Sequence, residues 1–219
     1  MINYPKISIV TACYNAEKYI DATIKSIISQ DYPNLELVII DGGSTDNTIK
    51  IIKNYKKHLS YFHSRPDEGQ YHAIQEGFKY TSGEIMAWLN ADDMYFPWTF
   101  KVVGHVFKKF KDVNWIIGLP SYFNKDGMLT KISQYPASYE QSFIRKGFYR
   151  SYLAGYLQQE SIFWRRELWD KTKGLDLKWK YAADFELWTR FAMYDELVSV
   201  NAPLAGFRML PGEQKSSLY

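Results

Sequence analysis

Through its first 118 residues the chain alternates short apolar runs with segments of helical period, and acidic residues follow several of those runs. Parallel strands need crossover connections and are covered on both faces, so this alternation predicts an α/β fold: a mostly parallel sheet flanked by helices. Ile7 to Val10 reads as the first strand. Asn15 is placed to cap a helix with Ile20, Ile24, Ile27 and Ile28 inward, which stops before Pro33. Leu35 to Ile40, interrupted only by Glu36, reads as a central strand that ends in Asp41 and the turn-rich string Gly42 to Thr48. A helix over about 47–56, a weaker strand over Leu59 to His63 and a helix carrying Ala73, Ile74, Gly77 and Phe78 follow. Gly83 is placed to end that helix. Glu84 to Leu89 is the fourth strand, and Pro97 opens a helix with Phe100, Val103, Phe107 and Phe110 inward.

After Trp115 to Leu119 the alternation is lost. Asp126-Gly127 marks a hairpin, Ser161 to Trp164 a strand, and Tyr181 to Tyr194 a buried helix. No linker separates independent units, so residues 1–219 read as one domain with halves at 1–118 and 119–219.

Composition narrows the function classes. Hydrophobic residues at 46% of 219 supply a full core and exclude disorder. A net charge of +3 without a basic stripe argues against nucleic-acid binding. The lone Cys13 excludes a disulfide framework and reads as a small buried hydrophobe, and the four His residues lack zinc-ligand spacing. Apolar runs of five or six residues fall far short of the roughly 20 that span a bilayer, and no signal peptide is apparent, so a cytoplasmic address is expected.

Ligands of open parallel sheets bind beyond the carboxyl ends of the strands, and Asp41, Asp67 and Asp92-Asp93 all map there. An Asp at such an end can accept hydrogen bonds from a nucleoside, while Asp41 and Ser44 can equally serve only to turn the chain. The adjacent carboxylates Asp92 and Asp93 can bind a hard divalent cation together with phosphate oxygens, or cap the helix after Pro97.

Five ordered blocks resemble the family 2 inverting glycosyltransferases of GT-A fold. They are Ile7 to Asn15, Asp41 to Thr48, Pro66 to Gln70 with Ala73-Ile74 and Gly77-Phe78, Trp88 to Asp93, and Tyr181 to Trp188. The resemblance implies transfer of a sugar from a nucleotide-sugar donor, UDP favoured, to a saccharide or lipid-linked saccharide acceptor, as in cell-surface polysaccharide synthesis. It implies that Thr11, Tyr14, Asn15, Asp41, Asp67, Gly69, Asn90 and Asp92 meet the donor. Asp93 would hold Mn²⁺ or Mg²⁺ with Asp92 assisting, and Asp184 would be the base. Arg208-Met209-Leu210 puts Leu210 where the family's Arg-x-His stretch has its His, so the resemblance carries no complete metal shell. A non-catalytic nucleotide-sugar binder, or a fragment of a larger assembly, is the alternative.

Beside that base, Trp188 lies one helical turn on and reads either as an acceptor wall or as core, and Gln159 and Glu160 are candidates for the acceptor side. Arg65, Arg165 and Arg166 read as solvated charge or as phosphate partners. Ile144, Phe148, Tyr152 and Tyr156 recur every four residues with basic residues between. That spacing reads as core, or as a basic amphipathic helix making peripheral contact with the inner face of a membrane.

Overall fold

The computed structural model describes residues 4–134, 137–151 and 155–210. Residues up to 118 build β1 (Ile7–Cys13), α1 (Ile20–Ile28), β2 (Leu35–Asp41), α2 (Thr48–Lys53), β3 (Tyr61–Ser64), α3 (Gln70–Phe78), β4 (Ile85–Trp88), β5 (Met94–Tyr95), α4 (Thr99–Lys109) and β6 (Trp115–Ile117). The rest builds β7 (Ser121–Phe123), β8 (Leu129–Ile132), α5 (Gln141–Arg145), β9 (Arg150–Ser151), β10 (Gly155–Tyr156), β11 (Ile162–Arg165), α6 (Arg166–Thr172), α7 (Ala183–Phe191), β12 (Val198–Ser199) and β13 (Ala205–Arg208).

Seven strands form the central sheet in the order β12-β6-β11-β4-β1-β2-β3. All run parallel except β11, which is antiparallel to both β4 and β6. Every residue of β1 is buried, Ser8 and Thr11 included, as expected for a strand covered on both faces. A second sheet, β5-β13-β7-β8, flanks the first, and its β7–β8 hairpin turns at Gly127, φ +81°, where the sequence places it.

The aromatic excess goes largely into the core. Trp88, Trp115, Trp164 and Trp188 are fully buried, with Trp188 stacked on Trp88 at 5.6 Å between centroids and 6.0 Å from Trp115. Trp164 meets Trp88 edge-on at 5.4 Å, and Phe78, Trp169 and Phe191 close the cluster. Each such ring buries about 150–250 Å².

Several expectations are corrected. Asn15 does not cap α1, which begins five residues later; Asn15 instead takes a left-handed conformation, φ 48°, and ties two loops together. α3 ends at Phe78, and Gly83 lies beyond it, donating its N–H to Ser8 Oγ where any side chain would strike β1. Phe110 falls just past α4 and is 48% exposed. α7 is shorter than expected and buries one face only, through Ala183, Leu187, Trp188 and Phe191.

The amphipathic helix through Ile144 and Phe148 is not formed. α5 stops at Arg145, Gly147 turns the chain at φ +74°, and β9 and β10 pair as a hairpin. Ile144 is buried while Phe148 and Tyr156 are exposed, and Tyr152 lies outside the described residues. The sequence-based reason for membrane contact goes with that helix. No helix among the described residues is long and apolar enough to cross a membrane.

Candidate active site

The carboxyl ends of β1, β2, β3 and β4 share one edge of the sheet, and β11, running the other way, brings its amino end there too. Gln159 and Glu160, which precede β11, therefore arrive beside the acidic loop after β4. Arg165 and Arg166, at the opposite end of β11, are carried to the far edge. There Arg165 donates to the carbonyls of Val113 and Phe107 and pairs with Glu84, and Arg166 donates to Gly83 O and Thr81 Oγ1. Neither is a phosphate partner. Arg65, also weighed for that role, pairs with Glu76.

Asp41 ends β2 and is fully buried. Its Oδ2 accepts from Gly43 N (3.1 Å), Ser44 N (2.9 Å) and Ser64 Oγ (2.6 Å), and its Oδ1 accepts from Ser44 Oγ and Cys13 Sγ. The carboxylate thus shapes the 42–48 loop. Cys13 is buried, and burial first, then Asp41, push its thiol well above the ordinary range, consistent with an inert packing role. Thr11 is likewise sealed inside β1 and presents nothing at the surface.

What the edge does present is Tyr14, 64% exposed, with Asn15, Gly42, Gly43, Asp67 and Gly69. Asn15 donates its N–H to Ser44 Oγ (2.8 Å) and accepts from Thr45 N at Oδ1 (2.9 Å), so the loops after β1 and β2 move as one. Asp67 accepts from Gly69 N (2.8 Å), and a Cβ on Gly42 would stand 2.9 Å from its Oδ2. That close approach is why position 42 is glycine.

Asp92 and Asp93 differ in burial. Asp93 is fully buried, with Oδ1 accepting from Arg208 N (2.9 Å) and Oδ2 from Asn90 Nδ2 (3.1 Å). Asp92 is half-buried, and its carbonyl accepts from Arg208 Nε (2.6 Å). Thr23 Oγ1 in α1 donates to the carbonyls of Ala91 and Asp93, both at 2.8 Å, and clamps the loop from below. The accessible carboxylate is therefore Asp92, and Asp93 holds the loop to β13.

Glu160 is 3% exposed, and burial, with the charges of Asp92 and Asp184, pushes its carboxyl up to about 8. Asp93 is raised well above its ordinary value by burial, then by Glu160 and Asp92. Asp184, the second residue of α7, is raised by burial against the opposing pull of the Phe185 amide and of Tyr71, whose hydroxyl donates to its Oδ1 at 3.0 Å. Four carboxyls thus share one field. Gln159 reaches Trp88 O through Nε2 (2.7 Å) and is buried, as is Trp188, which packs in the aromatic core.

Among the described residues, no three His, Cys, Asp or Glu side chains are gathered closely enough to hold a metal by themselves. Leu210 is buried and supplies no ligand. The oxygen donors nevertheless suit a Mg²⁺- or Mn²⁺-type ion held by one or two carboxylates and completed by substrate phosphates. Burial raises Asp93 and Glu160 first, and the neighbouring carboxylates add to it; that added repulsion is what a divalent cation would relieve.

Three residues that hold the site together escaped the sequence reading: Tyr71, Thr23 and the backbone of Arg208. Tyr71 stood in a gap within the third block. Thr23 looked like one more helix residue among isoleucines.

The model of the family described as glycosyl transferase family 2 matches residues 8–173. An uncharacterized glycosyltransferase of Haemophilus influenzae is 28% identical over 232 aligned positions, spanning all of this chain and 70% of its own length. The poly-β-1,6-N-acetyl-D-glucosamine synthase of Staphylococcus epidermidis is 34% identical over 58% of this chain, which corresponds to only 31% of that protein. Among solved structures, S. aureus TarS 1-349 in complex with UDP-GlcNAc superposes with a TM-score of 0.77 at 19% identity, over 98% of this chain and 61% of that one. The mannosyltransferase of Pyrobaculum calidifontis in complex with GDP-Man and Mn²⁺ gives 0.69 at 18%, over 97% and 59%. These likenesses establish the GT-A fold, and the match over most of its length makes this chain a member of glycosyl transferase family 2.

Proposed function

We propose that the chain is a metal-dependent inverting glycosyltransferase in which Asp184 is the general base and Asp92 the principal metal-holding residue. The observation that carries this reading is the placement of Asp184. It is a half-buried residue at the start of α7, within the electrostatic reach of Glu160, which also feels Asp92. Tyr14, Gly42, Gly43 and Asp67 form the surface for the nucleoside, and Asn90 and Asp92 face the diphosphate. A divalent ion bound at Asp92 would neutralise charge on the departing diphosphate.

The acceptor hydroxyl attacks the anomeric carbon from the side opposite the diphosphate. Its proton passes to Asp184 as the new C–O bond forms, and the old sugar–phosphate bond breaks with its electron pair leaving on the nucleoside diphosphate. One displacement inverts the anomeric configuration. Base assistance of this kind is worth about 10² to 10⁴ in rate. Support for UDP as the nucleotide comes from the UDP-GlcNAc complex of TarS, and support for a polysaccharide acceptor from the poly-N-acetylglucosamine synthase relative.

The test measures nucleoside diphosphate release from a panel of UDP- and GDP-sugars with Mn²⁺, for wild type and Asp184→Asn. Loss of turnover with nucleotide affinity kept within a small factor is the expected result. Turnover near wild type in the variant rejects the assignment.

A further inference from the structure

The first turn of α3 holds two parts of the site at once. Gln70 donates from Nε2 to Asn90 Oδ1 (2.7 Å), and Asn90 donates in turn to Asp93 Oδ2. Its neighbour Tyr71 donates from Oη to Asp184 Oδ1 (3.0 Å), across 113 positions of sequence. Adjacent residues of one helix therefore grip the loop that carries Asp92 and the carboxylate that opens α7.

We propose that Tyr71 is the positioning residue of Asp184: its hydroxyl pins one carboxylate oxygen so that the other is turned to the acceptor. Through Gln70, α3 also sets the spacing between that oxygen and the Asp92 loop. This rests on the reading of Asp184 as the base. An Asp carboxylate rotates broadly about χ2, and a charge-assisted O–H···O⁻ bond removes that freedom. Burial, then the Asp184 charge, hold the Tyr71 phenol far above its ordinary range, so it stays a donor wherever the protein is folded.

The groups acting on Asp184 are Tyr71 from α3, Glu160 from the segment before β11 and the Phe185 amide from α7 itself. A hydrogen bond to the charged form lowers a carboxyl's midpoint, so removing the Tyr71 hydroxyl raises that of Asp184. A spacer role for the ring alone leaves the midpoint where it is.

The test uses Tyr71→Phe and needs no substrate. Carboxyl resonances of ¹³C-aspartate protein are titrated, with Asp184 assigned by its absence in Asp184→Asn. The expected result is a higher Asp184 midpoint in Tyr71→Phe than in wild type. In turnover with a donor from the panel above, the acid limb of kcat/KM moves up by the same interval. There kcat falls about 10-fold with donor KM unchanged, inside the ~10² that an ångström of misplacement costs.

A second measurement avoids the Phe variant altogether. In wild-type protein labelled at tyrosine ¹³Cζ, one ring inflects at the Asp184 midpoint, and that inflection disappears in Asp184→Asn. An unchanged midpoint in Tyr71→Phe, or no shared inflection in wild type, overturns the proposal. Turnover near wild type in Asp184→Asn overturns the base reading and this proposal with it. An inactive Asp184→Asn with uncoupled titrations overturns this proposal alone.

Discussion

Glu36 sits at the amino edge of the sheet, opposite the site, and its charge provides a quantitative test of what ties β1, β2 and β4 together. Its Oε1 accepts from Lys6 Nζ (2.7 Å), and its Oε2 from Ser8 Oγ (2.5 Å) and Ser82 N (2.7 Å). Burial alone would raise this carboxyl, but the bonds from Lys6, Ser8 and Ser82 outweigh it and hold the group at about 2, against an ordinary 4.5. At about 1.4 kcal/mol per pH unit, that difference is worth about 3 kcal/mol at neutral pH. Lys6 is 43% exposed, and solvent screening of the pair reduces this to about 1–2 kcal/mol.

Because the folded midpoint lies below the unfolded one, the contribution is complete above about 4.5 and disappears as pH falls towards 2. Glu36→Gln keeps the shape and an accepting oxygen and removes the charge. Urea unfolding of both proteins, followed by tryptophan fluorescence at pH 7, 5, 4 and 3, should show the variant about 1–2 kcal/mol weaker at pH 7 and 5. The gap should narrow at pH 4 and 3. A gap constant across the series, or none at pH 7, would refute the charge argument.

Four further outcomes are expected. Asp92→Asn should abolish the Mn²⁺-dependent part of the thermal shift caused by a nucleoside diphosphate, whereas Asp93→Asn should lower the melting temperature and keep that Mn²⁺ response. Glu160→Gln should gain stability over wild type between pH 5 and 8. The folded carboxyl titrates near 8 while the unfolded one ionises near 4.5, so wild type loses more stability than the variant across that interval, and melting temperatures at pH 5 and 8 test it. Trp188→Ala should cost about 3–5 kcal/mol in urea unfolding, the range for emptying a buried aromatic site. Gly42→Ala has an ordinary backbone conformation and should leave stability nearly unchanged while weakening nucleotide binding, read by titration calorimetry, because its methyl displaces Asp67.

The strands that lead to Asp41 and to the loop at Asn90 were legible because buried parallel strands write themselves as apolar runs and their turns as Gly, Ser and Asp. Which of Asp92 and Asp93 faces inward was not, because Thr23 and Arg208 bond Asp93 from 70 and 115 positions away. The four-residue recurrence at Ile144 and Phe148 satisfied a helix template, yet Gly147 needs a positive φ that no periodicity count registers. Trp188 followed the period of an amphipathic helix and was equally suited to core or groove until the three other tryptophans around it were located. The Tyr71–Asp184 bond joins segments that only the closed sheet brings together.

The reversed strand β11 has a consequence for anyone recombining such enzymes. Wedged between β4 and β6, it makes the plate beneath the acidic strand-end loops out of chain from both sides of residue 118. A crossover there would hand a chimera two neighbouring staves from different parents, with the Trp88–Trp164 contact as the seam. Exchange within the second half therefore calls for grafts at loop tips, leaving 159–165 with the parent whose β4 it must match.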